Sequence, residues 1–164
     1  MQVPDPKRGR KTFLLLFSLA LAPILAAQAV YTWYRPAGGA SFGTLLVQPG
    51  VAPTATQWRL VAHDPAGCTP LIDTLTFAAR QLTVAQGREA DRVVYAATRA
   101  CPGKVADAAL LAPKVALPGA GLYLVDPNGN AVIRYSPEQL GGDEGRRRAM
   151  GEIGKLLKNN RALG

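Results

Sequence analysis

Between Lys11 and Arg35 the chain carries no charged side chain, and the run TFLLLFSLALAPILAAQAVYTWY fills the gap. At about 1.5 Å per residue, a helix of that length crosses a hydrocarbon core of roughly 30 Å. Residues 12–34 are therefore expected to form a transmembrane helix. Lys7, Arg8, Arg10 and Lys11 crowd one end, and Tyr31, Trp33 and Tyr34 form an aromatic belt at the other. The lysine and arginine excess sets the orientation: residues 1–11 form a basic cytoplasmic tail and everything after Arg35 lies outside. This places the chain as a single-pass protein of a bacterial inner membrane with a periplasmic C-terminal domain. A cleaved signal peptide is the competing reading, because Ala26, Ala27 and Ala29 offer small residues to a peptidase. Apolar and aromatic residues continue past those alanines, where a signal peptide would turn polar. Pro23 is expected to kink the helix.

After Arg35 no charge appears until Arg59, and Gly, Pro, Ala and Thr dominate. Residues 35–56 read as an uncharged tether, within which Ser41–Val47 is apolar enough to lie on the domain or on the membrane. The rest, 57–164, is long enough for one domain with its own core. The formal net charge of +8 would suit nucleic acid. The topology excludes that reading, because the tail holds net +3 (Lys7, Arg8, Arg10, Lys11 against Asp5) and the remaining +5 lies outside the cytoplasm. Arg146, Arg147 and Arg148 are either a solvated helix face or a contact for anionic lipid headgroups or an acidic partner surface.

Along the domain, Gln57–His63 reads as a buried-type strand. Thr69 caps a helix with Pro70 at its first position, and Leu71, Ile72, Leu75, Ala78, Ala79, Leu82 and Ala85 recur on one face until Gly87. Arg92–Thr98 is a second strand, which makes a parallel crossover with the first. Lys104–Leu111 is expected to be a short helix. Gly121–Val125 and Ala131–Tyr135 flank PNGN, a hairpin signal through the positive φ that Asn128-Gly129 supplies. A last helix, from about Asp143 to Ala162, places Met150, Ile153, Leu156 and Leu157 on one face.

Chemistry concentrates in PAGCTPLID. Cys68 stands at a strand-to-helix junction, where unpaired N–H groups and the helix dipole favour a thiolate. A dithiol or metal pair needs a second sulfur, and one helical turn on the chain has Leu71 and Ile72. His63, the only histidine, is either a general base or ligand beside the thiol, or a strand-end residue hydrogen-bonded to a loop carbonyl. Asp64 is placed to cap the turn leading to Cys68. With no carboxylate pair, serine–histidine arrangement, phosphate loop or zinc spacing in the chain, a conventional enzyme is not expected.

The element order β-α-β-α-β-β-α, the cysteine loop PAGCTPLID and the segment GLYLVDPNGNAVIRY together resemble the Sco/SenC-type proteins. These are membrane-anchored, thioredoxin-like copper and redox factors of cytochrome c oxidase assembly. The chain is similar to a degenerate, cytochrome-oxidase-associated transmembrane member of that family. The resemblance implies an α/β thioredoxin-like domain, a mixed sheet flanked by helices, behind one transmembrane helix. Cys68 matches the first of the family's two cysteines, Ile72 stands at the second, and Pro118 stands at the histidine that precedes Tyr123. One thiolate does not make a selective copper(I) site, so no cofactor is expected.

In such a sheet Cys68 and Cys101 both lie beyond the carboxyl ends of neighbouring strands, at a spacing that a disulfide can bridge. In an oxidising compartment two cysteines read as a pair. A structural bond, two unpaired thiols and a redox-active pair stay open. The function that follows is an accessory or assembly protein of a respiratory terminal oxidase, with the domain as an interaction module. The alternatives are a periplasmic thiol–disulfide protein acting through Cys68 and Cys101, and a membrane-tethered binding module unconnected with respiration.

Overall fold

A computed structural model describes residues 6–33, 41–101 and 108–163. It divides into two units, residues 1–40 and 41–164.

The first unit is one helix, α1 (Pro6–Trp33), with Pro23 inside it. Its segment Gly9–Trp33 is long and apolar enough to cross a membrane. Large side chains such as Phe13, Leu16, Leu19 and Ile24 lie on its surface, where water would penalise them and lipid would not. The Thr32 hydroxyl returns to the Gln28 carbonyl at 2.8 Å, which satisfies a hydroxyl without a partner outside the helix.

The second unit is a mixed α/β domain built on a six-stranded sheet. Its elements in chain order are β1 (Thr44–Gln48), β2 (Trp58–His63), α2 (Pro70–Val84), a 3-10 turn (Gly87–Arg92), β3 (Val93–Ala97), β4 (Ala109–Leu110), β5 (Gly121–Val125), β6 (Ala131–Tyr135), α3 (Pro137–Leu140) and α4 (Asp143–Asn159). The sheet order is β1-β6-β5-β2-β3-β4. β2 and β3 run parallel, with Leu60 opposite Tyr95, so α2 serves as the crossover that a parallel pair requires. β5 lies antiparallel to β2 on its other side and forms a hairpin with β6.

Every residue of β2 except His63 is buried, because both faces of this central strand are covered. Trp58, Leu60 and Ala62 point into the main core with Leu122, Leu124 and Ile133, beneath Ile72, Leu75, Ala79 and Leu82 of α2 and Ala149, Ile153 and Leu157 of α4. Val61, Tyr123, Val125 and Ala131 point the other way. There Val51, Ala52, Leu111 and Leu117 cover them with loop rather than helix.

Local chemistry sets the ends. The Thr69 hydroxyl accepts the Leu71 N–H at 3.2 Å and Pro70 opens α2, a cap that contributes about 1 kcal/mol. The carboxyl end of α4 is closed by Arg92, whose guanidinium donates to the Leu157, Asn160 and Leu163 carbonyls at 2.7, 2.9 and 3.0 Å. The hairpin turn is held by Asp126, whose carboxylate accepts the Asn130 N–H at 2.8 Å. Gly129, at φ +91°, supplies the left-handed residue, and a Cβ there would strike the Ala52 carbonyl.

Three expectations are corrected. The domain begins at Ser41, not at 57: β1 pairs with β6, Thr44 opposite Arg134, and Val51 and Ala52 are buried. The hairpin leaves β6 with an open edge, and an uncharged extended segment is a suitable partner for it. The helix expected over Lys104–Leu111 is a strand where it can be seen. Ala109 and Leu110 pair with Ala96 and Ala97 of β3, while residues 104–107 fall outside the described range. Met150 does not share the buried face of α4; it is 37 % exposed, and Ala149 fills the core position instead.

Candidate functional site

β2 and β3 end side by side, and their carboxyl ends carry the two cysteines. Cys68 and Cys101 are joined in a disulfide with a Cα–Cα separation of 5.5 Å and a sequence separation of 33. The pairing follows from the register: Ala62 lies opposite Ala97, and the Thr98 N–H continues the ladder to the Ala62 carbonyl at 3.0 Å. The two departing loops therefore start one strand spacing apart.

The loop from β2 is tightly built. Asp64, 8 % exposed, accepts the Ala66 N–H at 3.0 Å on one carboxylate oxygen and the Thr69 hydroxyl on the other. These bonds, first Thr69 and then Ala66, hold its carboxyl below the usual range. Gly67, at φ +95°, lets the chain turn back toward α2. One aspartate thus fixes both the turn and the cap on either side of Cys68. Asp64 was legible as a turn residue; its second bond, to the cap of α2, was not.

Cys68 is exposed and Cys101 half-buried against the core. With both sulfurs in one bond, neither is a nucleophile. The arrangement instead offers an electrophile, because an incoming thiolate can reach the sulfur of Cys68 and displace that of Cys101. A small cavity beside Cys101 is lined by Ile72, Asp73, Thr76, Arg99 and Leu110.

His63, the last residue of β2, bonds to the Thr98 hydroxyl at 3.0 Å and meets the Tyr123 ring edge-on at 6.0 Å. Its expected carbonyl partner is replaced by this hydroxyl, which the sequence signals only as a polar residue directly after an apolar strand. Desolvation lowers its pKa; Asp64 opposes the shift and Arg99 adds to it. The Tyr123 hydroxyl lies 2.8 Å from the Pro118 and Gly119 carbonyls.

Arg146, Arg147 and Arg148 are spread around α4, since successive helical residues diverge by about 100°. Arg146 pairs with Asp143 at 2.5 Å and Arg148 with Glu144 at 2.9 Å, the latter also lying 5.9 Å above the Phe42 ring. Arg147 is exposed, and with Arg146 it lines a shallow groove against α2.

Fold and site together define a mixed α/β domain behind one N-terminal apolar helix, stapled where the neighbouring parallel strands β2 and β3 end. A family model described as "Transmembrane-like, N-terminal domain" matches residues 4–34, a segment that contains α1. No curated protein and no solved structure matches.

Proposed function

We propose that this chain is a single-pass, membrane-anchored accessory or assembly protein of a respiratory terminal oxidase, with its domain outside the cytoplasm as a thioredoxin-like interaction module. The observation that carries the reading is the position of the stapled loop. In the order β6-β5-β2-β3, with β5 antiparallel and α2 crossing from β2 to β3, Cys68 precedes the crossover helix at the place where a thioredoxin-like domain holds its chemistry. The link to oxidase assembly rests on the resemblance of PAGCTPLID and GLYLVDPNGNAVIRY to the Sco/SenC-type proteins. The orientation rests on Arg10 and Lys11 at one end of the apolar helix and Trp33 at the other.

Copper does not fit the residues present. The sulfur of Cys68 is bonded to Cys101, Ile72 is 3 % exposed within the core, and the Pro118 carbonyl is engaged by Tyr123. The nearest imidazole, His63, is engaged by Thr98. The domain works by presenting a surface rather than by delivering a metal.

A second reading, thiol–disulfide exchange, is favoured by the exposure of Cys68. An external thiolate would attack its sulfur, form a mixed disulfide and release the Cys101 thiolate. Affinity purification of the tagged full chain from solubilised membranes tests the first reading, with oxidase subunits expected at near-stoichiometric yield from wild type and from the Cys68→Ser/Cys101→Ser double variant alike. Recovery that depends on Cys68 and passes through a mixed disulfide would favour the second.

A further inference from the structure

The α2/α4 side of the domain carries a face that the proposed function does not use. Phe77 and Val84 stand on the outer side of α2, seven positions apart and therefore on the same helical face, and are 54 % and 70 % exposed. Met150 of α4 is 37 % exposed across a shallow groove, and Gln81 and Ala85 line both halves of that groove, so the surface is continuous. Its rim is basic: Arg80 borders one half, Arg146 and Arg147 the other, against one carboxylate, Asp143, that already pairs with Arg146. Exposed apolar side chains with Arg80 on one side and Arg147 on the other match the boundary between headgroups and acyl chains, where the rings and methyl groups enter and the guanidinium groups hold phosphates.

We infer that this face, centred on Phe77, Val84 and Arg147, rests on an anionic lipid surface. The inference rests on the anchoring part of the proposed function. Charge complementarity selects the occupant's sign. Covalent linkage to an apolar helix selects a bilayer over a free acidic protein, because it holds the domain at high effective concentration near lipid. The face is borne by the body of α2, whereas Cys68 precedes its first turn, so lipid contact leaves the stapled loop open to a partner.

The test uses the full chain in vesicles of brominated phosphatidylglycerol or brominated phosphatidylcholine. Phe77→Trp is introduced with Trp33→Phe. Trp58 stays as background, being buried and bonded to the Leu163 carbonyl at 2.9 Å. Trp emission from position 77 should be quenched in the anionic vesicles and not in the zwitterionic ones. Replacing Arg80 and Arg147 by glutamate should lower the ratio of docked to undocked domain, read from the quenching at position 77, by about fivefold or more for each arginine replaced. A tryptophan in place of Lys114, on the loop-covered side of the sheet, should stay unquenched. No quenching at position 77 in anionic vesicles, or equal quenching at 77 and 114, would overturn the inference, the first outcome pointing to an acidic protein as occupant. Absence of Trp33 quenching in the parental chain would instead overturn the anchoring on which it rests.

Discussion

The carboxylate of Glu152, on α4, accepts the hydroxyl of Ser41 at 2.6 Å, and its two oxygens take the Phe42 and Gly43 N–H groups at 3.0 and 3.1 Å. Gln139 adds a bond to the Phe42 carbonyl at 2.6 Å. The first residues of the domain are thus tied to its last helices before β1 begins. Glu152→Ala leaves two backbone donors and a hydroxyl without their acceptor, and should cost about 2–3 kcal/mol, with Glu152→Gln less harmful. Faster amide exchange in Thr44–Gln48 should accompany the loss. Unchanged stability in Glu152→Ala would mean that water replaces the carboxylate at no cost.

The same carboxylate gives a pH dependence. Burial raises the pKa of Glu152, but the bonds from Ser41, Gly43 and Phe42, with the Tyr135 hydroxyl nearby, together outweigh it and leave the group below its ordinary 4.5. A carboxyl lowered in the folded state stabilises fully above its unfolded value and ceases to do so as pH falls through the folded one. Denaturant midpoints should therefore fall below about pH 4.5, and less steeply in Glu152→Gln. Equal slopes in the two proteins would show that other carboxyl groups carry the acid sensitivity.

His63 supplies a second, separate window. It is the only histidine in the chain, so one imidazole resonance can be followed without assignment. Desolvation holds it below the ordinary imidazole value of 6.5, which means the unfolded chain takes up its proton first as pH falls. Stability from this group is complete above pH 6.5 and declines through the folded pKa, the reverse of what a partner that raised the value would give. NMR titration should find the midpoint below 6.5; a midpoint above it would contradict the burial of the ring between Thr98 and Tyr123.

The elements that local chemistry specifies were legible. Thr69-Pro70 marked the start of α2, Asn128-Gly129 the hairpin, and the apolar run after Trp58 the central strand. What escaped was non-local. β1 contains two outward residues, Leu45 and Val47, that are 67 % and 99 % exposed, so no alternation announces it; only the open edge of β6 makes it a strand. β4 is two residues long and exists because β3 has a free side. At the site, the spacing of Cys68 and Cys101 after their strands suggested proximity. Glu152 gave no signal, since a glutamate on a helix ordinarily faces water.

The disulfide separates structure from chemistry. In the chain-entropy account a bond closing a loop of 33 residues contributes about 3–4 kcal/mol, so Cys68→Ser and Cys101→Ser should each lower stability by that much. Mass mapping of unreduced protein should find one Cys68–Cys101 peptide pair. If exchange is the function, Cys68→Ser should abolish activity well below the melting range, whereas a structural staple predicts normal activity there.

The central claim is that the chain serves terminal oxidase assembly. Its most direct test is the amount of assembled oxidase, read from reduced-minus-oxidised haem spectra and oxygen uptake in membranes of cells lacking the chain and of the same cells supplied with it. A clear deficit is expected without the chain, restored by the full chain and by the double cysteine variant at permissive temperature, and not restored by residues 41–164 without the helix. Oxidase levels that stay unchanged when the chain is absent would contradict that claim.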